Sequence, residues 1–447
     1  MFSVLAVVVG LVMVPAAVRA QESAAAIDAI GREEVGKQKI PGLVLMVVKG
    51  GSIAHAKGFG VANVETKEPV TPDHLFRVGS TTKMVVSATA VALAEQGKLQ
   101  MDAPIGDRLS ELAGSPLGKL TVHQLLSHTA GLMDRTLMFG RHDDAALAEN
   151  VRSLQPDVLF TKPGEVYSYS NLGYAMAGRL IEVAADKPFA DAVRDLIFEP
   201  LGMRRSTFRP TLAMTYPLAQ GHVEEGGKTV IGRPAADHSG YWPAGSMFTS
   251  GNDFARFAMA LVGKGKSLEG RSLPAAVIAG ISAGHVATTG GGRYGYGIGV
   301  DSIDGRVLLS HSGGRQGYSS YLIAAPGEQV AVIALINKSG ADAAGPARRA
   351  FRAVAGWNPQ RPVDERPTKL TAEQIRGVYT QYTRTVVIQS RNGKLVASER
   401  GRDVELAPDK GNCYKPVGQG PVCFATGPDG RARYLLLGSR AFARQDE

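Results

Sequence analysis

Ser80-Thr81-Thr82-Lys83 is the only Ser-x-x-Lys in the chain, and its spacing can do chemistry. Residues three apart on a helix share a face, so Lys83 falls beside the Ser80 hydroxyl. That hydroxyl is a weak nucleophile until a neighbouring base takes its proton. A lysine amine is such a base only when neutral, and burial favours the neutral form. Met84, Val85, Val86, Ala88, Ala90, Val91 and Leu93 follow, apolar nearly all round. They predict a buried helix from Thr81 to about Gln96, stopped at Gly97. The amides at its start point at developing negative charge. Composition alone yields about one such tetrapeptide by chance, and the plain alternative is an exposed serine and lysine at a helix start. The apolar helix weighs against that, because a buried lysine is costly without a partner.

Two further groups have the right chemistry. Tyr169-Ser170-Asn171, the only Tyr-x-Asn, follows Pro163-Gly164 and precedes a helical stretch from Tyr174 to Ala185. A phenol serves as a general base if nearby cations depress its pKa, and Lys83 can supply that charge. An asparagine amide can hold a substrate carbonyl. Taken alone, the tripeptide reads more readily as a packed tyrosine and an asparagine turn. His311-Ser312-Gly313-Gly314 follows a strand, where glycines let a substrate backbone approach a sheet edge and its amides. His238-Ser239-Gly240 is the same tripeptide in a loop setting, so His311 is the preferred candidate.

The elements that must position these groups are legible in outline. Ala24 to Lys37 predicts a helix. Leu43–Val48 and Ser52–Gly58 predict a hairpin about Lys49-Gly50-Gly51. The middle, Val85 to Leu261, is mostly helical in pattern. Strands return at 296–302, 306–310, 318–324 and 329–336, and a helix at 341–354 closes the region. The simplest architecture is an α/β (α+β) fold. An antiparallel sheet is flanked by the terminal helices, with an all-helical subdomain inserted. Trp357 to Pro367 holds three prolines and reads as a linker. Short strand candidates and Asn392-Gly393 and Asp429-Gly430 turns then predict a small antiparallel β domain over 368–447.

Hydrophobic residues make up 44% and charged residues 20% of the 447, an ordinary globular balance. Leu5–Val14 with Val18-Arg19-Ala20 reads as a signal peptide over residues 1–20, so export to the periplasm or medium is expected. No later run is long enough to span a membrane, so no stable insertion is expected after cleavage. Removing the leader takes only Arg19 from the +9 formal charge, leaving +8, which favours anionic surfaces. The cations are scattered, which leaves nucleic-acid binding unsupported. Cys413 and Cys423 are the only cysteines; in an oxidising compartment they can pair, the alternative being two buried thiols. The histidines show no ligand spacing for a metal, and no cofactor is expected.

Serine with lysine three on, then Tyr-x-Asn, then a strand bearing His-x-Gly resembles the serine DD-peptidase and class C β-lactamase family. Leu125 to Leu132, Pro163-Gly164, Glu199 to Met203 and Tyr294-Gly295-Tyr296-Gly297 extend the resemblance to about residues 24–355, and the tail is similar to appended lipocalin-like domains. The resemblance implies a catalytic trio. Ser80 is the nucleophile, with Lys83 and Tyr169 sharing the proton work. It implies substrate contacts from Asn171, His311, Ser312 and Gly313, and an oxyanion hole from the Ser80 and Gly314 amides. His128 is expected to hold a loop. The implied substrates are peptides, amides or esters, peptidoglycan-derived fragments or β-lactams among them, with a true β-lactamase or a low-turnover wall-fragment sensor as alternatives. His311 stands where β-lactamases have lysine. Ile298-Gly299-Val300, directly after the Tyr-Gly-Tyr-Gly stretch, holds no arginine, so Arg293 or Arg315 offers itself, by position alone, for a substrate carboxylate. The oligomeric state is left open.

Overall fold

The computed structural model describes residues 16–288, 291–359, 369–416 and 420–445, for 16–20 the backbone only. Most of the expected leader and of the linker therefore lies outside the described residues. A helix over Ala16–Lys37 passes through the expected cleavage point before Gln21. Among the described residues no helix is long and apolar enough to cross a membrane.

An eight-stranded antiparallel sheet forms the frame. Gly42–Lys49 lies between Ser52–Gly60 and Val330–Ile336, and then follow Tyr318–Ala325, Arg306–Arg315, Gly299–Ile303 and two short edge strands. Successive side chains of a strand point to opposite faces. Leu43, Leu45 and Val47 accordingly pack with Ile27, Ile30 and Phe351 of the two terminal helices. Val44, Met46 and Val48 pack on the helical side. Both faces are covered, which is why these strands read as unbroken apolar runs rather than as an alternation.

The inserted region is mainly helical, around the helices Thr82–Glu95, Asn171–Ala185 and Gly251–Val262. It adds a hairpin, His222–Glu225 with Lys228–Ile231, turned by Gly226 and Gly227, both at positive φ. The strand with the third motif is longer than its sequence suggests. It runs from Arg306 through His311 to Arg315. Its neighbour Gly299–Ile303 pairs with it only as far as Ser310, while Tyr318–Ala325 pairs with it to Arg315. Residues 311–315 thus lie past the end of one neighbour, on an open length of edge.

The tail is a closed eight-stranded barrel of sequential strands from Gly377–Gln381 to Arg440–Arg444, closed by pairing of its first and last. Cys413 and Cys423 face each other on adjacent strands and are disulfide-bonded.

Candidate active site

Ser80 sits in a one-turn 3-10 helix, Gly79–Thr81, that leads into the Thr82–Glu95 helix. Gly79 is at φ +57, and a Cβ there would lie 2.5 Å from the Gly314 nitrogen. A Cβ on Gly313 would lie 2.0 Å from the Val78 oxygen and 3.1 Å from the Ser80 nitrogen. Two glycines therefore let the serine turn press directly against the strand. That contact gathers the Ser80 and Gly314 backbones in one place, as an oxyanion hole requires.

Lys83 is fully buried, and burial pulls its ammonium down to about 7 from its ordinary value near 10.5. Asp134 pushes the other way and Arg440 adds to the depression. Its Nζ donates to Asn171 Oδ1 at 2.7 Å and to the Ala244 carbonyl, and lies 3.5 Å from Ser80 Oγ. A neutral amine has two hydrogens and one lone pair. The two carbonyl oxygens take the hydrogens, which leaves the lone pair for the Ser80 hydroxyl.

Tyr169 corrects one expectation. Lys83 faces its ring, 4.7 Å from the centroid, rather than its hydroxyl. Burial raises the phenol well above its ordinary range, and the Ser80 side chain only partly offsets this. With no cation bonded to its oxygen among the described residues and with burial opposing the phenolate, Tyr169 stays a protonated phenol. It can pass a proton on but is no free-standing base. His128, at φ +60, accepts from the Ser170 amide at Nδ1 (3.1 Å), and its carbonyl accepts from the Ser168 amide. The histidine thereby fixes the loop that presents Tyr169.

Two substrate-contact expectations change. His311 is buried, its Nδ1 donating to the Ser312 carbonyl at 2.6 Å and its Nε2 accepting from Tyr294 at 3.0 Å. Burial, with Lys83 nearby, lowers it to about 4, so it is neutral at physiological pH and both nitrogens are occupied. Gly313 also turns inward, against Val78 and Ser80, because side-chain direction alternates along a strand. Ser312 and Gly314 are the exposed members of the motif. Asn171 spends its oxygen on Lys83 and one Nδ2 hydrogen on Asp134, at 3.0 Å, and keeps one N–H for a substrate. His238 merely caps the short turn that follows it, accepting from the Gly240 amide.

The two arginines offered by position are engaged elsewhere. Arg293 donates to the Gly284 and His285 carbonyls. The Arg315 side chain is only 6% exposed, donates to the Ala236 carbonyl and lies 3.9 Å from Asp237, which pairs with Arg77 at 2.6 Å. Replacing Asp237 by Ala strands two buried guanidiniums. It is expected to cost about 3–5 kcal/mol, read as a lower urea midpoint at unchanged slope. Sequence reasoning also missed Asp134 and Arg440, which meet beside Asn171 from 306 residues apart. No local pattern could signal that pair.

Comparison with known proteins settles the lineage. The Beta-lactamase family model matches residues 27–356. The chain belongs to that family of serine hydrolases. Penicillin-binding protein 4 of Amycolatopsis lactamdurans is 31% identical over 313 residues, 67% of this chain and 81% of that protein. Esterase EstB of Burkholderia gladioli is 34% identical over 202 residues, 41% of this chain, which spans only 51% of the esterase. A crystal structure of SurE superposes with a TM-score of 0.79 at 23% identity, covering 96% of this chain and 99% of that one. That likeness is one of fold, and it takes in the barrel of this Beta-lactamase family member.

Proposed function

We propose that this protein is an exported serine hydrolase that opens uncharged ester, amide or peptide carbonyls through an acyl-enzyme on Ser80. The observation that carries the reading is the buried Lys83 amine, whose Nζ donates to the Asn171 and Ala244 oxygens and lies 3.5 Å from Ser80 Oγ. In the first half-reaction Ser80 Oγ bonds to the substrate carbonyl carbon as its proton passes to Lys83 Nζ. The oxyanion lies between the Ser80 and Gly314 amides. It collapses, the bond to the leaving group breaks, and that group takes the proton back from Lys83, with the Tyr169 phenol beside Ser80 as a second donor. Water then attacks the acyl carbon by the same route, releasing the acid and restoring Ser80.

The choice of uncharged substrates rests on the open strand edge. His311 is neutral and Arg315 is turned away, so among the described residues that edge offers no free cation to a carboxylate such as a β-lactam carries. A p-nitrophenyl acyl ester is expected to turn over many times per enzyme. A chromogenic cephalosporin is expected to give at most a slow burst. A higher kcat/KM for the cephalosporin would make the protein a β-lactamase. The relatives' names, a penicillin-binding protein and an esterase, support the reaction class. Export is supported by the composition of the first twenty residues, and N-terminal sequencing of protein recovered outside the cytoplasm should begin at Gln21.

A further inference from the structure

The barrel does not sit apart from the hydrolase site. Its last hairpin reaches the loop that carries Tyr169. The Tyr169 amide donates to the Ser439 carbonyl at 2.8 Å, and the Ser168 hydroxyl oxygen accepts from the Ala441 amide and from Gln381, both at 3.1 Å. Arg440 follows the hairpin turn. Its guanidinium lies over the Tyr169 ring, 5.5 Å from the centroid. Nε donates to Asp134 Oδ2 at 2.7 Å, and Nη2 grips the same oxygen. The other oxygen, Oδ1, accepts from the Asn171 amide at 2.9 Å and from Asn171 Nδ2 at 3.0 Å. Asn171 in turn accepts from Lys83.

We propose that Arg440 is a positioning residue of the Ser80 site, supplied by the barrel, that clamps Asp134 and through it holds Asn171 against the Lys83 amine. The inference rests on the serine-hydrolase reading above. The Asp134 side chain is 10% exposed and lies against the first amide of the Asn171–Ala185 helix, where its charge is favoured but needs a counter-cation once removed from water. Arg440 is that cation. Without it the carboxylate is free to swing toward water, and Asn171 loses the partner that fixes its rotamer. Docking does not depend on this pair alone. Arg433 and Tyr434 bind Glu165, at 3.0 and 2.5 Å, in the same interface.

The arrangement also sets a sign for pH dependence. The groups facing Lys83 are Asp134, Arg440, Tyr169, Tyr174, His128 and His311. The tyrosines and histidines are held neutral by burial, so Asp134 and Arg440 carry the local charge. Removing Arg440 withdraws a positive charge and unmasks a negative one. Both changes favour the ammonium, so the pH midpoint for Ser80 acylation moves upward.

The experiment uses the full chain, a p-nitrophenyl ester and intact-mass detection of the acyl-enzyme across pH 5–10, for wild type, Arg440→Ala, Arg440→Lys and Arg433→Ala. Arg440→Ala is expected to lower kcat/KM at pH 7 by about 10–100-fold and to move the midpoint up. Arg440→Lys should restore the midpoint and only part of the rate, since one ammonium replaces a forked grip. Arg433→Ala loosens the docking without touching Asp134 and should keep the wild-type midpoint. A midpoint that stays put in Arg440→Ala, or moves equally in Arg433→Ala, overturns the clamp while the acylated wild type leaves the hydrolase reading intact. A wild type that never acylates overturns both.

Discussion

Replacing Lys83 by methionine is expected to lower kcat/KM for an activated ester by about 10²–10⁴-fold without unfolding the protein. Methionine fills the same volume but has no lone pair for the Ser80 proton. The stability consequence runs in the opposite direction and has its own pH signature. The Lys83 ammonium titrates near 7 in the folded chain against about 10.5 unfolded, so folding penalises the proton. The penalty is fully present below about pH 7. It fades as pH rises toward 10.5, where both states are neutral. Lys83→Met is therefore expected to be more stable than wild type at pH 6, by an advantage that shrinks toward pH 10. Denaturant melts at both pH values, beside ester kinetics, read the two effects separately. A variant that retains the wild-type rate would remove Lys83 from the proton path. In the wild type the rate should climb with pH through about 7 and level off, because only the neutral amine accepts the proton.

Gly313→Ala is expected to have the second largest effect. Its Cβ would lie 2.0 Å from the Val78 carbonyl oxygen and 2.4 Å from Ser320 Oγ. The first is backbone, so the strand and the serine turn must separate. Separation spoils the joint placement of the Ser80 and Gly314 amides. Loss of one oxyanion donor costs about 10²–10³-fold in kcat, and forcing extra volume into a packed contact costs about 1–3 kcal/mol. Gly327→Ala is the matched control, since nothing lies within 4 Å of a Cβ there and its φ is ordinary. Comparable rates for Gly313→Ala and the control would show that the strand and the serine turn can part without harm to the site.

The parts of this account that were legible in the sequence are those with a local cause. Thr82 to Leu93 is buried at every position, and an apolar run with a helix-ending glycine announces it. The sheet strands Gly42–Lys49 and Val330–Ile336 are covered on both faces and read as continuous aliphatic runs. Ser80 and Lys83 follow from a three-residue spacing on one such helix. The reach of the third-motif strand was less legible, since Gly313-Gly314 reads as a break. Those glycines instead permit close contact with the serine turn, which comes from more than 230 residues away. Tyr169 was misjudged electrostatically for the same kind of reason. The His128 ring lies tilted against it with centroids 4.3 Å apart, and that burial outweighs any cation. Arg440 could not be found at all, because its partner and the ring beneath it belong to segments far along the chain. The barrel reads as a separate appendage until its last hairpin is placed.

The central claim is that Ser80 forms the acyl-enzyme. Wild type and Ser80→Ala, incubated at pH 8 with a p-nitrophenyl acyl ester and quenched in acid within one turnover, test it by intact mass and peptide mapping. The account predicts a wild-type mass increase equal to one acyl group less one hydrogen, on the peptide containing Ser80, and no adduct or hydrolysis above background in Ser80→Ala. An adduct mapped to any other residue, or a Ser80→Ala protein that hydrolyses the ester at the wild-type rate, would contradict it.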